Sequence, residues 1–256
     1  MMSMLHYIET KVIVDIPDYL HFEDSNGELQ PIPISDEVEV NFYGISQGGI
    51  LGAGYNALMG VTGLLQRSIL GVPGTPFALI MGKSTDFKVF NELMLLNFYS
   101  NREIRIMLSV IQMAWDTVEA GGLLAPTVNE AVPPVLIQAG LGDAEVPTTA
   151  AEVLARTYGA KILPGNPKDI YGLPRVQPAG PGSVGPRSAL TEVLYQHEYD
   201  NMPGADSNEA PEFNKVHLCV RHDTALQEQI VEFINEGVIV DPCELDQCIR
   251  ERAWCS

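Results

Sequence analysis

The sequence predicts an α/β fold in which helices cover both faces of a mainly parallel sheet. Two short segments, 38–44 and 135–139, have the length and the branched or aromatic residues of buried strands. Each is followed by a segment with the apolar spacing of a helix, at 46–58 and at 147–158. Strands that alternate with helices are typical of parallel sheets, because each crossover returns the chain to the same end of the sheet.

The remaining elements are shorter or less regular. In chain order they are a strand at 68–72 that ends at the turn 73–76, one or two helices within 88–118, a strand at 190–199, and a final helix at 224–235. Thr148 or Thr149 is expected to cap the helix after the strand at 135–139, and Thr224 with Gln227 to form a capping box on the last helix.

Composition is that of an ordinary globular protein and disfavours several functions. The 256 residues are 46% hydrophobic and 19% charged. With 33 acidic and 15 basic residues the net charge is −18, which repels phosphate backbones and anionic lipid headgroups. No apolar run approaches the roughly 20 residues that span a bilayer. We therefore expect no nucleic-acid partner, no membrane span and no cofactor.

Changes in composition divide the chain into three parts. Residues 1–37 are acidic and turn-rich, as in an extension or the remnant of a domain. Residues 38–240 form the predicted α/β domain, within which 162–212 is a loop-rich insertion. Residues 241–256 form a tail that contains three of the four cysteines.

The cysteine spacing leaves two readings open. Cys243 and Cys248 are close enough in sequence to form a small disulfide loop, but they could equally be two reduced thiols. They lack the paired short spacings of a structural zinc site, so no metal is expected. The cellular compartment therefore stays open.

The strongest motif is Gly44-Ile45-Ser46-Gln47-Gly48, which joins a predicted strand to a predicted helix. In this context a Gly-x-Ser-x-Gly sequence is a nucleophile elbow, with the serine on a sharp turn. Small residues at 44, 48 and 49 would let the turn form and the helix approach the sheet. The helix N-terminus would favour negative charge near Ser46, and the N–H of Gln47 would donate to an oxyanion. The alternative is a glycine-rich turn with an incidental serine.

A serine nucleophile needs a base and an orienting acid, in the chain order Ser, acid, His. Asp143 fits the acid, because it follows a buried strand at the edge where open α/β sheets bind ligands. Asp86 is the alternative, and Asp116 fits less well because it lies in a helical segment. His217 and His222 both lie in a predicted loop before the last helix, and position alone does not separate them.

The segment FYGISQGGILG at 42–52 resembles the elbow of α/β-hydrolases, in particular a poorly characterised group of large, mostly bacterial proteins. The resemblance extends through LGVPG at 70–74, QMAWD at 112–116, QAGLGD at 138–143 with Val146 and Thr149, Ala155-Arg156, Asn214-x-x-His217-x-x-x-Arg221 and Phe233-x-x-x-Gly237-x-x-x-x-x-Cys243. It implies an α/β-hydrolase fold with a Ser46, His217 and Asp143 triad, and it favours His217 over His222 as the base.

The part before the elbow departs from that group, whose members carry further strands there. Only about 40 residues precede the elbow, too few for four strands with crossovers of a dozen or more residues each. We therefore expect a sheet that lacks its N-terminal strands. Either the chain is truncated, or a protein partner or a second copy covers the bare edge.

These observations together predict a serine hydrolase, esterase- or lipase-like, that cleaves an ester or related acyl bond of a small molecule. The alternative is a catalytically silent hydrolase-like subunit or fragment with a structural or binding role. The second oxyanion donor is not identifiable from the sequence.

Overall fold

The computed structural model describes residues 21–31, 39–60, 62–97, 100–124, 132–176, 185–195, 214–243 and 248–250. The chain divides into two units, 1–40 and 41–256. In the first unit, β1 (His21–Glu23) and β2 (Leu29–Pro31) pair antiparallel. The Asp24 carboxylate closes the connecting turn by accepting hydrogen bonds from the N–H groups of Asn26 and Glu28.

The second unit is an α/β structure with a mostly parallel sheet, as the sequence predicts. Its described elements are β3 (Asn41–Ile45), α1 (Gln47–Gly60), β4 (Arg67–Gly71), α2 (Phe77–Lys83), α3 (Lys88–Leu95), α4 (Asn101–Trp115), α5 (Ala120–Leu124), β5 (Val135–Gly140), α6 (Thr148–Thr157), β6 (Lys161–Ile162), β7 (Ser188–Tyr195), α7 (Val216–His222), α8 (Thr224–Glu236) and β8 (Ile249–Arg250). The strand order is β3-β4-β5-β7-β6, and β8 also pairs with β7. All of these pairings are parallel.

The central strand β5 shows why the sheet carries helices on both faces. Every residue of β5 is buried, and successive side chains of a strand point to opposite faces. Val135, Ile137 and Ala139 pack into a cluster with residues of α1, α5 and α6. Leu136 packs into a different cluster, with Phe233 of α8. Because neither face meets solvent, the strand is apolar apart from Gln138, whose buried amide is hydrogen-bonded.

Between β4 and β5 the chain forms a helical insertion at 77–118. The sequence predicts its two longer helices within 88–118 but not the short α2. The side chains of Glu119 and Gln112 accept hydrogen bonds from the first N–H groups of α2, on Phe77 and Ala78. After α2, the N–H and the hydroxyl of Thr85 both donate to the carbonyl of Ala144. The insertion is thus tied to the loop that follows β5.

The predicted cap of α6 is wrong. The Thr148 hydroxyl does not cap the helix but turns back to the end of β5, where it donates to the Gly140 carbonyl at 2.7 Å. It also accepts a hydrogen bond from the Gly142 N–H at 3.0 Å. Its role is therefore to hold the loop after β5 in shape.

The predicted capping box of the last helix is also wrong. The residue that caps α8 is Asp223, one position earlier, whose carboxylate accepts from the N–H groups of Ala225 and Leu226. The Gln227 amide, expected to reach back to the Thr224 N–H, donates instead to a carbonyl of the preceding helix.

Two further predictions extend beyond the described residues. The strand predicted at 190–199 is confirmed as far as Tyr195, and 196–199 lie outside the described residues, as do 177–184 and 196–213 of the predicted insertion. Among the described helices, none has the length and apolar character needed to cross a membrane.

Candidate active site

Ser46 lies on a strained turn between β3 and α1. Its φ angle is +58°, a left-handed conformation that is uncommon for residues other than glycine. The Ser46 N–H donates to the carbonyl of Gly71 at the end of β4, and the Ser46 carbonyl accepts from the N–H of Ile50 in the first turn of α1. A strained serine between a parallel strand and a helix is the local geometry of a nucleophile elbow.

Close packing at this turn requires glycine at position 44 but not at position 48. A Cβ added to Gly44 would lie 2.3 Å from the carbonyl oxygen of Gly48 and 2.7 Å from the ring of Phe42. A Cβ on Gly49 would lie 2.8 Å from the carbonyl oxygen of Gly71. A Cβ on Gly48 would meet nothing within 4 Å. Of the three small residues expected to shape the turn, only Gly44 and Gly49 have a steric reason.

We predict that Gly44→Ala destabilises the protein by about 1–3 kcal/mol, because the added methyl group forces the backbone apart. Gly48→Ala is the matched control: it lies in the first turn of α1 with open space around it, so its effect should be neutral or stabilising by up to about 1 kcal/mol. Urea unfolding of both variants measures the difference. Equal loss of stability in the two variants would contradict the packing described for the turn.

A second strained residue lies beside the elbow. Val72, just after β4, has φ +43°, which is an outlier for a β-branched side chain. Its N–H donates to the carbonyl of Gln138 at 2.7 Å, and its side chain is buried in a cluster with Val216 and Val220 of α7. Backbone strain of this kind concentrates at functional sites. Nothing in the sequence pattern indicated it.

Asp143 is buried in the loop that follows β5, with 2% of its surface exposed. One carboxylate oxygen, Oδ1, accepts hydrogen bonds from the N–H groups of Glu145 at 2.8 Å and Val146 at 3.0 Å. The other oxygen, Oδ2, lies 2.7 Å from Nδ1 of His217. The first pair of bonds fixes the carboxylate, so that its second oxygen is held on the imidazole.

The two rival acids are exposed and do not pair with His217, although the charge of Asp86 acts on Glu145. Asp86 is exposed on the turn at Thr85–Phe87, where its own N–H donates to the Ser84 hydroxyl. Asp116 is exposed at the end of α4 and accepts from the Gln112 side chain. Neither is recorded within ion-pair distance of His217, whose two carboxylate neighbours in the described residues are Asp143 and Glu145.

His217 lies in α7, where the sequence predicts a loop. Asn214 fixes the start of this helix: its Oδ1 accepts from the N–H of Val216, and its Nδ2 donates to the carbonyl of Gly142, next to Asp143. The helix also comes very close to the end of β5, because a Cβ on Gly140 would lie only 2.2 Å from the Val216 side chain. The spacing Asn214-x-x-His217 therefore anchors the imidazole beside the Asp143 loop.

His222 lies at the other end of the same short helix and has a different environment. Its side chain is exposed and lines a surface cavity together with Asp223, Pro242 and Arg250. The structure thus separates the two histidines that position alone could not, and it pairs His217 with a buried carboxylate.

Helix α7 brings His217 to the edge of the sheet that holds Ser46. Val216 and Val220 pack in one cluster with Val72 at the end of β4 and with Ile45 at the end of β3. Since β3 and β5 flank β4, their carboxyl ends are about 10 Å apart. Helix α7 bridges this distance, so Ser46, His217 and Asp143 all lie at one edge.

Within the described residues, the His217 imidazole is hydrogen-bonded through Nδ1 only. His217 is 4% exposed, yet its Nε2 has no hydrogen-bond partner among the described residues, the Ser46 hydroxyl included. The nearest recorded group is the Glu145 carboxylate, 3.6 Å from Nε2. A buried nitrogen without a partner is rare and calls for a ligand or a functional reason.

The electrostatics of this pair favour the charged imidazole. Burial by itself lowers the pKa of His217, but the hydrogen bond to Asp143 and the negative charges of Asp143 and Glu145 outweigh it, so the pKa is raised. The Arg221 guanidinium opposes the rise. Burial in turn raises the pKa of Glu145, with the positive charge of His217 acting against it.

Gln47 begins α1 directly after Ser46. The first N–H groups of a helix have no acceptor within the helix, and they carry the positive end of its dipole. The Gln47 N–H is thus available for a negatively charged oxygen formed next to Ser46. A second donor is not identified by the described residues.

Two cysteines of the predicted tail are oxidised. Cys243 and Cys248 form a disulfide, and Cys219, two residues after His217 on α7, is also disulfide-bonded. The Asp241 carboxylate lies near the Cys243–Cys248 disulfide. Of the two readings left open by the spacing, the structure shows the disulfide.

No protein-family model, curated protein or solved structure matches the chain.

Proposed function

We propose that the protein is a serine hydrolase with an α/β-hydrolase-like fold, and that it cleaves an ester or related acyl bond. The observation that carries the proposal is the buried Asp143–His217 pair, held at 2.7 Å at the sheet edge where Ser46 occupies its strained turn. The order Ser46, Asp143, His217 along the chain is that of α/β-hydrolase triads.

In the proposed reaction, His217 Nε2 takes the proton of the Ser46 hydroxyl as Oγ attacks the substrate carbonyl. Asp143 holds the Nδ1 proton, which keeps Nε2 free to act as the base and stabilises the imidazolium. The Gln47 N–H donates to the oxyanion of the tetrahedral intermediate. The imidazolium then protonates the leaving alcohol, and a water molecule activated by His217 hydrolyses the acyl-enzyme.

The unbonded Nε2 atom supports this assignment of roles. A buried imidazole nitrogen needs a hydrogen-bond partner, and a serine hydroxyl at the same sheet edge can supply one. Catalytic hydrogen bonds are often long in the absence of substrate and shorten when it binds. In the resting arrangement Glu145 is the nearest charged group to Nε2.

A fluorophosphonate probe tests the nucleophile directly, because it phosphonylates only an activated serine. We expect one adduct per chain, mapped by peptide mass spectrometry to the segment with Ser46, and none in Ser46→Ala. If the folded protein stays unlabelled while a control hydrolase reacts, the hydrolase proposal fails. The protein would then be better described as a catalytically silent subunit, an alternative that the contact of His217 Nε2 with Glu145 favours.

The pH dependence of turnover reports on His217. The base must be neutral, so kcat/KM should fall as the pH drops through the pKa of His217, which is raised above its ordinary value of 6.5. Glu145→Gln removes one of the charges that raise this pKa, so the fall should move to lower pH.

Glu92→Gln, an exposed position on α3, is the control and should leave the pH profile unchanged. A profile in Glu145→Gln that overlays the wild-type profile would show that Glu145 does not act on the catalytic base.

A further inference from the structure

Arg221 has no ion-pair partner in the described part of the chain. Its side chain is half-buried, and its Nε is shielded from solvent without a hydrogen-bond partner. No carboxylate of the described residues lies within 4.0 Å of it, although the chain has 33 acidic residues. Arg156, Arg175 and Arg250, by contrast, each form an ion pair.

The usual role of arginine at the end of a helix does not explain this one. Arg221 lies in the last turn of α7, where a cation can bond the final carbonyl groups and offset the helix dipole. No such hydrogen bond is made by the Arg221 guanidinium within the described residues. A shielded Nε–H without an acceptor is costly, and an acceptor that binds from outside would remove that cost.

The position of Arg221 places that acceptor at the candidate active site. Arg221 follows His217 by one helical turn, and residues four apart lie on the same helix face. Its charge acts on His217 and on Glu145. It also acts on Tyr43 of β3, where burial raises the pKa of the phenol and Arg221 opposes the rise. Arg221 therefore lies near both the base and the strand that ends at Ser46.

We propose that Arg221 binds a carboxylate of the substrate, and that the substrate class is an ester or related acyl compound with a second, free carboxylate. The inference rests on the proposed hydrolase function. Guanidinium and carboxylate match in shape and can form two parallel hydrogen bonds. The negative charges of Asp143 and Glu145 lie beside the same site and repel anions. The site therefore favours a substrate with a single negative charge over a polyanion.

Two pairs of synthetic esters test the proposal. In the first pair the charge is on the acyl side: mono-p-nitrophenyl glutarate against its neutral counterpart, p-nitrophenyl pentanoate. In the second it is on the leaving group: 4-acetoxybenzoate against its methyl ester. At a pH high enough that His217 is neutral in every variant, we expect Arg221→Ala to lower kcat/KM for the acidic member of one pair by about tenfold or more. The neutral member should change less than about twofold.

Arg105→Ala, an exposed arginine on α4, is the matched control and should alter neither ester. Arg221→Gln serves as a second variant, with circular dichroism and thermal unfolding to confirm that each variant is folded. Equal losses on acidic and neutral esters in both Arg221 variants, or no loss in either, would overturn the proposal.

A binding measurement separates this inference from the hydrolase function. Glutaramate, the monoamide of glutaric acid, offers a free carboxylate without an ester to cleave. Titrated by calorimetry into Ser46→Ala, it should bind, and adding Arg221→Gln should weaken binding by about tenfold. Binding that depends on Arg221, without turnover of any ester, would contradict the hydrolase function but support the carboxylate site. Absence of binding, or binding that does not depend on Arg221, would overturn the site.

Discussion

Ser46→Ala is expected to lower kcat for ester hydrolysis by about 10⁴- to 10⁶-fold, the range seen when a triad nucleophile is removed. The change deletes only the attacking oxygen. The left-handed turn at Ser46 and the backbone hydrogen bonds to Gly71 and Ile50 do not involve the side chain. The variant should therefore fold and bind substrate with nearly unchanged KM, which steady-state kinetics and thermal unfolding can establish.

Ser68→Ala is the matched control for this variant. Ser68 is fully buried in the neighbouring strand β4, and its hydroxyl has no hydrogen-bond partner among the described residues. Its removal breaks no hydrogen bond and leaves no donor or acceptor unpaired, so kcat should stay within about twofold of wild type. Residual turnover in Ser46→Ala comparable to that in Ser68→Ala would mean that another group is the nucleophile.

Asp143→Asn is expected to lower kcat by about 10⁴-fold, the size of effect that the same substitution has on other serine triads. The asparagine Oδ1 can still accept from the N–H groups of Glu145 and Val146, so the loop should keep its shape. Its Nδ2, however, would be a donor facing Nδ1 of His217. The imidazole would then carry its proton on Nε2, and the base would be in the wrong tautomer for Ser46.

The control is Asp86→Asn, at the rival acid. Asp86 is exposed and has no contact with His217, so turnover should stay within about threefold of wild type. Stopped-assay rates for both variants, at the pH optimum of the wild type, decide between the two acids. A larger loss in Asp86→Asn than in Asp143→Asn would contradict the assignment of Asp143.

Much of the fold could be predicted because it follows from local patterns. The strand β5 is recognisable because all of its residues are buried and all but Gln138 are apolar or small. The turn at Ser46 is recognisable because its crowding leaves no room for a side chain at Gly44 or Gly49. The position of Asp143 follows from the same logic, because residues after a buried parallel strand collect at one edge of the sheet.

What sequence reasoning missed depends on contacts between distant residues. Helix α7 is only seven residues long, too short to be marked by its own periodicity. Its start is fixed by the bond from Asn214 to Gly142, which lies 72 positions away. The choice between His217 and His222, the strain at Val72 and the approach of Glu145 to Nε2 all follow from how α7 packs on the sheet.

The helix caps failed for a related reason. A threonine or aspartate near a helix start can cap that helix or bond another part of the chain, and the sequence does not say which. Thr148 bonds the end of β5 instead of its own helix, whereas Asp223 caps α8 and also accepts from Arg250 and Tyr195. Tertiary contacts decided both cases.

The claim that Ser46, His217 and Asp143 act as one unit is tested most directly by combining their alanine variants. Members of a triad are strongly non-additive, because losing the nucleophile makes the base and the acid irrelevant. We predict that the triple variant hydrolyses an ester no more slowly than Ser46→Ala alone, within about threefold, and that His217→Ala by itself is nearly as slow. A triple variant slower by the product of the three separate losses would show that the residues act independently and would contradict the triad.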